Sequence, residues 1–339
     1  MEKKKNITIY DIAKEAGISA SMVSRVLSGK GSVAPKTRER IQSIIDKYDF
    51  KPNEMARGLQ KSRTRIIGYM IPSVGHEYFS NVYYQFEKHA SENGYMTVLY
   101  NGKNDLGTEY RILNVFEEIR VEAAIIMGGG VDALDVDPGY ARAIETLSKK
   151  VPCILCSEQA DKFGCMGVHM DSLKAAELVI DYLLKKDYRT LAILGGARET
   201  FPSVYLREHM KEYAAQKGVE IRPEWIQGIS YDAKDGKAAM KKLLEQKQLP
   251  RAAFCINDYV ACGAMEAALE AGVRIPQDMA IIGNDNLEIS DMIRPHLTTI
   301  GKNYEEMGKI LFQMMQEGLN GGEVTQKLIA PFLVEREST

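Results

Sequence analysis

Apolar residues recur at helical spacing through the first fifty positions. Ile9, Ile12, Ala13 and Ala16 form one stripe, Met22, Val23, Val26 and Leu27 a second, and Ile41, Ile44, Ile45 and Tyr48 a third. A period near 3.6 predicts three short helices. The punctuation agrees. Thr8 stands three residues before Asp11, the spacing of a capping box, and Gly17 closes the first stripe. Ser19 precedes the second, and Pro35 opens the third. A polar stretch over 51–64 follows, in which Asn53 can cap a short helix from Glu54 to Gln60. Such a helix is below the ~12–15 residues needed for stability alone, and Gly58 weakens it by ~1 kcal/mol. It is expected to form only when something holds it.

From residue 65 the pattern changes. Apolar runs at Ile66–Ile71, Met96–Tyr100, Ala123–Met127, Cys153–Cys156, Leu191–Leu194, Ala253–Ile256 and Ala280–Ile282 alternate with amphipathic stretches of helical length. Strands separated by helix-length spacers predict an α/β fold with parallel sheets. Roughly 270 residues suffice for two lobes, though periodicity alone does not count them.

Charge divides the chain in the same place. Residues 1–65 hold 15 Lys and Arg against 7 Asp and Glu, a net of +8, whereas the remainder carries a net of −10. A basic module on an acidic body points to a local contact with nucleic acid or another anionic surface. No apolar run reaches the ~18 residues of a membrane span. Asp11, Lys14 and Glu15 interrupt the place where a signal peptide would be apolar. A cytoplasmic protein without membrane contact is expected, and five cysteines in mostly apolar runs fit reduced thiols.

Enzyme motifs are weak. Gly128-Gly129-Gly130-Val131-Asp132-Ala133 matches G-x-G-x-x-A, but Asp132, Asp135 and Asp137 would repel a pyrophosphate and Pro138 blocks an uninterrupted helix. Cys153 and Cys156 lie within an apolar strand and not at a helix start, so a redox or metal role is not expected. Residues 29–37 end like a phosphate loop but lack the Gly before the Lys, and no H-E-x-x-H or G-x-S-x-G occurs. No catalytic residue, cofactor or metal is expected.

The segment from Tyr10 to Leu27 reads as a helix, a Gly turn and a second, Ser-capped helix, which is a helix-turn-helix. The second helix must bury Val23 and Leu27 while Ala20 and Ser21 let its N-terminus approach a major groove. Arg25, one turn on, reaches a guanine edge with two hydrogen bonds. Lys36 and Arg38 suit phosphates, with a solvated surface as the alternative.

This head resembles that of the lactose-repressor (LacI) family of bacterial transcription regulators. The resemblance extends through Thr37-Arg38, Tyr48, Pro52-Asn53 and Ala56-Arg57-Gly58-Leu59. It continues in Asn257-Asp258, Ile282-Gly283-Asn284-Asp285, Pro295-His296-Leu297-Thr298-Thr299 and the closing stretch 333–339. It implies a three-helix helix-turn-helix head over 1–51, a hinge helix and linker over 52–64, and a two-lobed body with parallel sheets over 65–339, similar to periplasmic binding proteins. One lobe is expected over about 65–160 and 302–322, the other over about 161–301 and 323–339, with crossings near 160, 300 and 323.

The resemblance also assigns residues. Thr8, Tyr10, Ser19, Ala20, Ser21, Ser24, Arg25 and Ser28 face operator DNA, with Asn53, Ala56 and Leu59 in the hinge. Leu59 is the apolar wedge between base pairs in a central minor groove. Phe79, Tyr231, Asn257 and Asp285 line an effector crevice between the lobes. Capping of strand–helix junctions is the alternative reading for Asn257 and Asp285. Many relatives place an Arg where Leu206 stands here, and Arg207 is one residue off. The expected function is a ligand-responsive regulator, most simply a homodimeric repressor binding a palindromic operator and a sugar or related small molecule. The alternatives are a catabolite-control regulator answering to a partner protein, and a binding protein without a regulatory role.

Overall fold

The computed structural model describes residues 7–27, 33–50, 64–228 and 230–339. The chain divides into two units, residues 1–64 and 65–339. The expected hinge residues Asn53, Ala56 and Leu59, and Ser28 in the head, lie outside the described residues.

The first unit contains α1 (Ile9–Ala16), α2 (Ala20–Leu27) and α3 (Pro35–Tyr48). At α1 the Thr8 N–H donates to Asp11 Oδ2 at 2.8 Å, and the Asp11 N–H returns a bond to Thr8 Oγ1 at 3.3 Å. This reciprocal bonding satisfies two backbone donors that a helix start leaves open. Gly17 ends α1 at φ 63°, a left-handed position that costs glycine little. The core joins Ile12, Ala13, Ala16, Val23, Val26, Ile41, Ile44 and Ile45. Two expectations change. Val26, at i+3 from Val23, takes the buried place given to Leu27, which is half-buried at the edge. Tyr48 is exposed beyond the small core, with Lys47 Nζ 4.7 Å from its ring centre.

The second unit alternates strand and helix. Its first half runs β1 (Ile66–Ile71), α4 (Glu77–Glu92), β2 (Met96–Asn101), α5 (Leu106–Glu118), β3 (Ala123–Met127), α6 (Pro138–Ser148), β4 (Cys153–Cys156) and β5 (Met166–Met170). Next come α7 (Ser172–Lys185), β6 (Leu191–Leu194), α8 (Phe201–Lys217), β7 (Ile226–Gln227), α9 (Ala233–Leu244), β8 (Ala252–Cys255) and α10 (Asp258–Glu270). The chain ends with β9 (Ala280–Asp285), α11 (Ile289–Met292), β10 (Thr298–Gly301), α12 (Tyr304–Leu319), β11 (Gln326–Ile329) and β12 (Phe332–Val334).

Two six-stranded sheets result, in the orders β11-β5-β4-β3-β1-β2 and β12-β10-β9-β8-β6-β7. All pairings are parallel except β10 with β12. Strands such as β1, β3 and β9 are buried along their whole length, as sheets covered by helices on both faces require.

The expected lobe bounds move. β5 pairs with β4 and with β11, so residues 166–170 and 326–329 belong to the first sheet. The first crossing therefore follows Met170, since α7 packs into the second lobe through Ala176, Val179 and Ile180. Another lies at Lys302-Asn303, after which α12 packs into the first lobe through Met307, Leu311 and Met315. The last lies between Ile329 and Phe332, not near 323. The chain's end is pinned in the second lobe. Ser338 is buried, its Oγ donates to Ile281 O at 2.6 Å, and its carbonyl accepts from Ile281 N–H at 2.9 Å.

The triple glycine after β3 has a packing cause. Gly129 stands at φ 67°, and a Cβ there would meet Glu109 Oε1 at 2.1 Å. Glu109 is buried and its Oε2 accepts from the Gly130 N–H at 3.0 Å. A carboxylate thus occupies the space beneath the loop, and burial raises its pKa. Gly129→Ala should destabilise the second unit by more than the ~1–2 kcal/mol of a left-handed L-residue. Gly321→Ala, at φ 78° with nothing within 4 Å, should cost only that backbone part. Urea unfolding midpoints of the two variants measure the difference; equal losses would remove the Glu109 contact from the account.

Candidate nucleic-acid and effector sites

On the first unit, α1 and α2 display the expected DNA-facing residues unevenly. Tyr10 is 70% exposed on α1. Ser21 and Arg25 are exposed and lie four residues apart, hence on one face of α2. Ala20 and Ser24 are half-buried on the adjoining strip. Ser19 starts the helix through its carbonyl, which accepts from Met22 and Val23 N–H, while its hydroxyl meets Ser21 Oγ at 2.9 Å. Thr8 is exposed, and its hydroxyl is engaged with Asp11 Oδ2 at 2.6 Å. Lys36, Arg38 and Arg40 are exposed in the first two turns of α3, where the helix dipole favours an anion.

In the second unit the crevice lies at the carboxyl ends of both sheets, where ligands bind in open parallel α/β sheets. The lobes touch across it. Leu134 N–H donates to Glu199 O at 2.8 Å, Ala133 bridges to Thr200, and Glu288 N–H donates to Glu77 Oε1 at 3.1 Å. His76 and Tyr259 meet edge to face with centres 5.3 Å apart.

Phe79 sits in the first turn of α4, half-buried, with Tyr78 and His76 rings 5.1 and 5.3 Å away. Tyr231, on the loop before α9, shares its hydroxyl with Thr200 Oγ1 at 2.7 Å and Ser203 Oγ at 2.6 Å. Asn257 caps α10: its Oδ1 accepts from Val260 N–H at 2.8 Å, and its Nδ2 donates to Tyr231 O at 2.9 Å. Its amide therefore holds the Tyr231 loop in place from the end of β8. Asp285 ends β9 at φ 123°, a conformation costly for a non-glycine residue. Its buried carboxylate meets Lys302 Nζ at 2.5 Å, and its carbonyl accepts from Tyr304 OH at 3.0 Å. Burial raises the Asp285 pKa and Lys302 opposes the rise.

Leu206 is buried in the second lobe's core. Arg207 is 13% exposed, its nearest carboxylate Glu208 is 4.0 Å away, and its Nη1 would lie 3.0 Å from a Cβ on Gly228. The guanidinium thus comes to the loop that follows β7.

Sequence reasoning missed several polar residues here. Lys302 forms the crossing and sits 4.3 Å from the Tyr78 ring centre as well as on Asp285. Asp258, fully buried beside Asn257, accepts from Thr299 Oγ1 at 2.6 Å and from Leu287 N–H at 2.7 Å. Asp132 and Glu158 follow β3 and β4 and each keep one buried oxygen without a partner, as His76 does at Nδ1. Their only signal in the sequence is a carboxylate just past an apolar run. Among the described residues no group of three or more His, Cys, Asp or Glu can hold a metal ion, and no helix is long and apolar enough to cross a membrane. Cys153 and Cys156 are buried free thiols of β4.

Comparison with known proteins agrees with the two-part organisation. Residues 8–53 match the family of bacterial regulatory proteins, lacI family, and residues 180–339 match a periplasmic binding protein-like domain. The chain is 28% identical over 336 residues to catabolite control protein A of Staphylococcus xylosus, covering 98% of this chain and 99% of that one. The solved lac repressor dimer bound to operator and the anti-inducer ONPF superposes with a TM-score of 0.87 at 23% identity, covering 99% of both chains. The complex of the transcriptional regulator CelR with cellobiose matches at 0.72 and 20%, covering 98% of this chain and 100% of that one. A helix-turn-helix head with a two-lobed α/β body defines a DNA-binding transcription regulator. The head matches the lacI family of regulators, and that family is made up of transcription regulators and not of enzymes.

Two outcomes follow from this geometry. Arg25→Ala should weaken operator binding by ~1–3 kcal/mol and relax base preference at one position per half-site; binding to a randomised operator library reads this, and unchanged preference would remove Arg25 from base reading. The second concerns pH. Burial pushes Asp132 up to about 6, and Glu158 and Asp258 up to about 7. Each binds a proton in the folded chain where the unfolded chain, titrating near ~4, has lost it. Stability should therefore fall as pH rises from about 4 to about 7 and level off above. Asp258→Asn should flatten that slope in urea midpoints taken across the range.

Proposed function

We propose that the chain is a repressor that acts as a homodimer on a twofold operator and answers to a small molecule, a sugar or related polyol, bound between the lobes. The observation that carries this reading is the crevice itself. Aromatic rings, hydroxyls and carboxylates from both lobes converge at strand ends, and the chain joins the lobes at only three crossings. Phe79, Tyr231 and Asp285 are the proposed ligand contacts, Asn257 positions Tyr231, and Arg207 stands in for the arginine that relatives carry one residue earlier. Residues 1–51 are the head, with Thr8, Tyr10, Ser19, Ala20, Ser21, Ser24, Arg25 and Ser28 on the DNA. Residues 52–64 are the hinge, in which Asn53, Ala56 and Leu59 meet the minor groove. The bound lac repressor dimer and the CelR–cellobiose complex support operator, dimer and sugar by likeness.

A ligand that touches both lobes binds one lobe arrangement better than another, and it shifts the equilibrium only by that difference. Operator and ligand affinities must then be linked reciprocally. The experiment is a thermal-shift screen of neutral mono- and disaccharides, followed by titration of any hit with and without operator duplex. An affinity that changes by at least about five-fold between the two titrations is expected, the lower bound of common coupling energies. Identical affinities would uncouple crevice from head, and a response to a partner protein, as the name shared by the catabolite control relatives leads one to test, would take its place.

A further inference from the structure

We propose that the crevice takes a ligand bearing a protonated amine, an amino sugar or a similar polyhydroxylated amine, with the ammonium group seated on Asp132 and Glu158. This rests on the crevice being the effector site, and it narrows the ligand class.

The two carboxylates come from neighbouring strands. Asp132 ends the 3-10 turn that follows β3, and Glu158 stands two residues beyond β4. The Glu158 side chain is 8% exposed. Its Oε1 accepts a short hydrogen bond from Ser172 Oγ, while its Oε2 is buried without any partner. Asp132 Oδ1 is buried and unpartnered as well. The two turns are joined beside the lobe contact: Ser157 Oγ donates to Val131 O at 3.1 Å, Gln159 Nε2 donates to Ala133 O at 3.0 Å, and Ala133 bridges to Thr200 on the second lobe, whose hydroxyl meets that of Tyr231.

The cations near them are committed elsewhere. Lys302, whose charge reaches Glu158, is held on Asp285 at 2.5 Å. His169 Nδ1 lies 3.8 Å from Glu158 Oε1 but is within 3.0 Å of Met170 O. After burial itself, the negative charges of Asp132 and Asp171 push the Glu158 carboxyl upward, and that of Glu109 does the same to Asp132. Buried charges persist when paired, and leaving one unpaired is costly.

Ligand classes sort on this arrangement. A phosphorylated or acidic sugar adds a further negative charge to the pair. A neutral polyol supplies hydrogen-bond donors but leaves the charge uncompensated. A metal ion lacks its ligands, because no group of three among the described residues can hold one. An ammonium group supplies three donors and the missing positive charge together. The rest of such a ligand, with its hydroxyls, is suited to the hydroxyl and aromatic groups around Tyr231 and Phe79.

The test uses the full chain. Calorimetric titrations at pH 7 compare D-glucosamine with D-glucose, D-galactosamine with D-galactose, and D-glucosamine with D-glucose 6-phosphate. At least one amine is expected to bind ten-fold or more tightly than its neutral counterpart, and Glu158→Gln and Asp132→Asn should each remove most of that preference. Without ligand, the same two variants should raise the thermal midpoint at pH 8, because each deletes a buried negative charge one of whose oxygens has no partner. Equal affinity within every pair, preference for the neutral or phosphorylated member, or no binding by either amine overturns the proposal. Unchanged or lowered midpoints in both variants overturn it too. Operator binding by fluorescence anisotropy on the same preparation is read separately: its loss sinks the regulator reading and leaves the amine result standing.

Discussion

Parallel strands cannot be joined by a tight turn, so β1 to β10 are linked by long connections, most of them through helices, and the carboxyl ends of each sheet emerge on one side. Everything functional in the second unit follows from that constraint. The strand ends are where backbone pairing stops and side chains must satisfy what remains. Asn257, Asp258 and Asp285 all stand at or just past such ends, and all three are buried. Asn257 and Asp258 hold loops and a helix start through short hydrogen bonds. Asp285 instead anchors the segment that leaves the lobe. The same residues that terminate the sheet therefore line the crevice while capping the elements around it.

Much of this was legible in the chain and some was not. The capping box at Thr8, the stop at Gly17 and Pro35 in the first turn of α3 have local causes, so local sequence shows them. Six of the seven expected apolar strands stood out because burial on two faces demands unbroken apolar runs; β2 is a part-exposed edge strand. β5, Met166–Met170, reads poorly because a glycine and His169 break its run; β10, Thr298–Gly301, carries two buried threonines, Thr298 bonded to the chain terminus and Thr299 to Asp258. β11 is exposed over three of its four residues, so its place in the first sheet is set by pairing with β5 and not by its own composition. That is why the lobe bounds were displaced. Asn257 could be singled out from its motif, but not its bond to the Tyr231 carbonyl, twenty-six positions away. Asp132 was visible only as an objection to nucleotide binding, and its neighbour Glu158 carried no motif at all.

Charge links the two units in another sense. Residues 1–65, at +8, attract any nucleic acid, and affinity from that source falls steeply with salt. A body at −10 is repelled by the same polymer beyond the reach of the head. Duplex is therefore favoured where α1 to α3 lie and disfavoured against the lobes, which confines binding to orientations that let a recognition helix reach base edges.

Both sheets take an edge strand from the stretch between Gln326 and Thr339: β11 completes the first, and β12, with Ser338 tucked beneath β9, completes the second. A ribosome that emits this chain from its amino end first must pass residue 334 before both sheets have all six strands. The head, built from contiguous residues, faces no such delay. Nascent chains therefore carry a head able to form beside a body still missing two strands, with edges open to other chains. A ribosome that stalls before β11 leaves both lobes with an open edge at once.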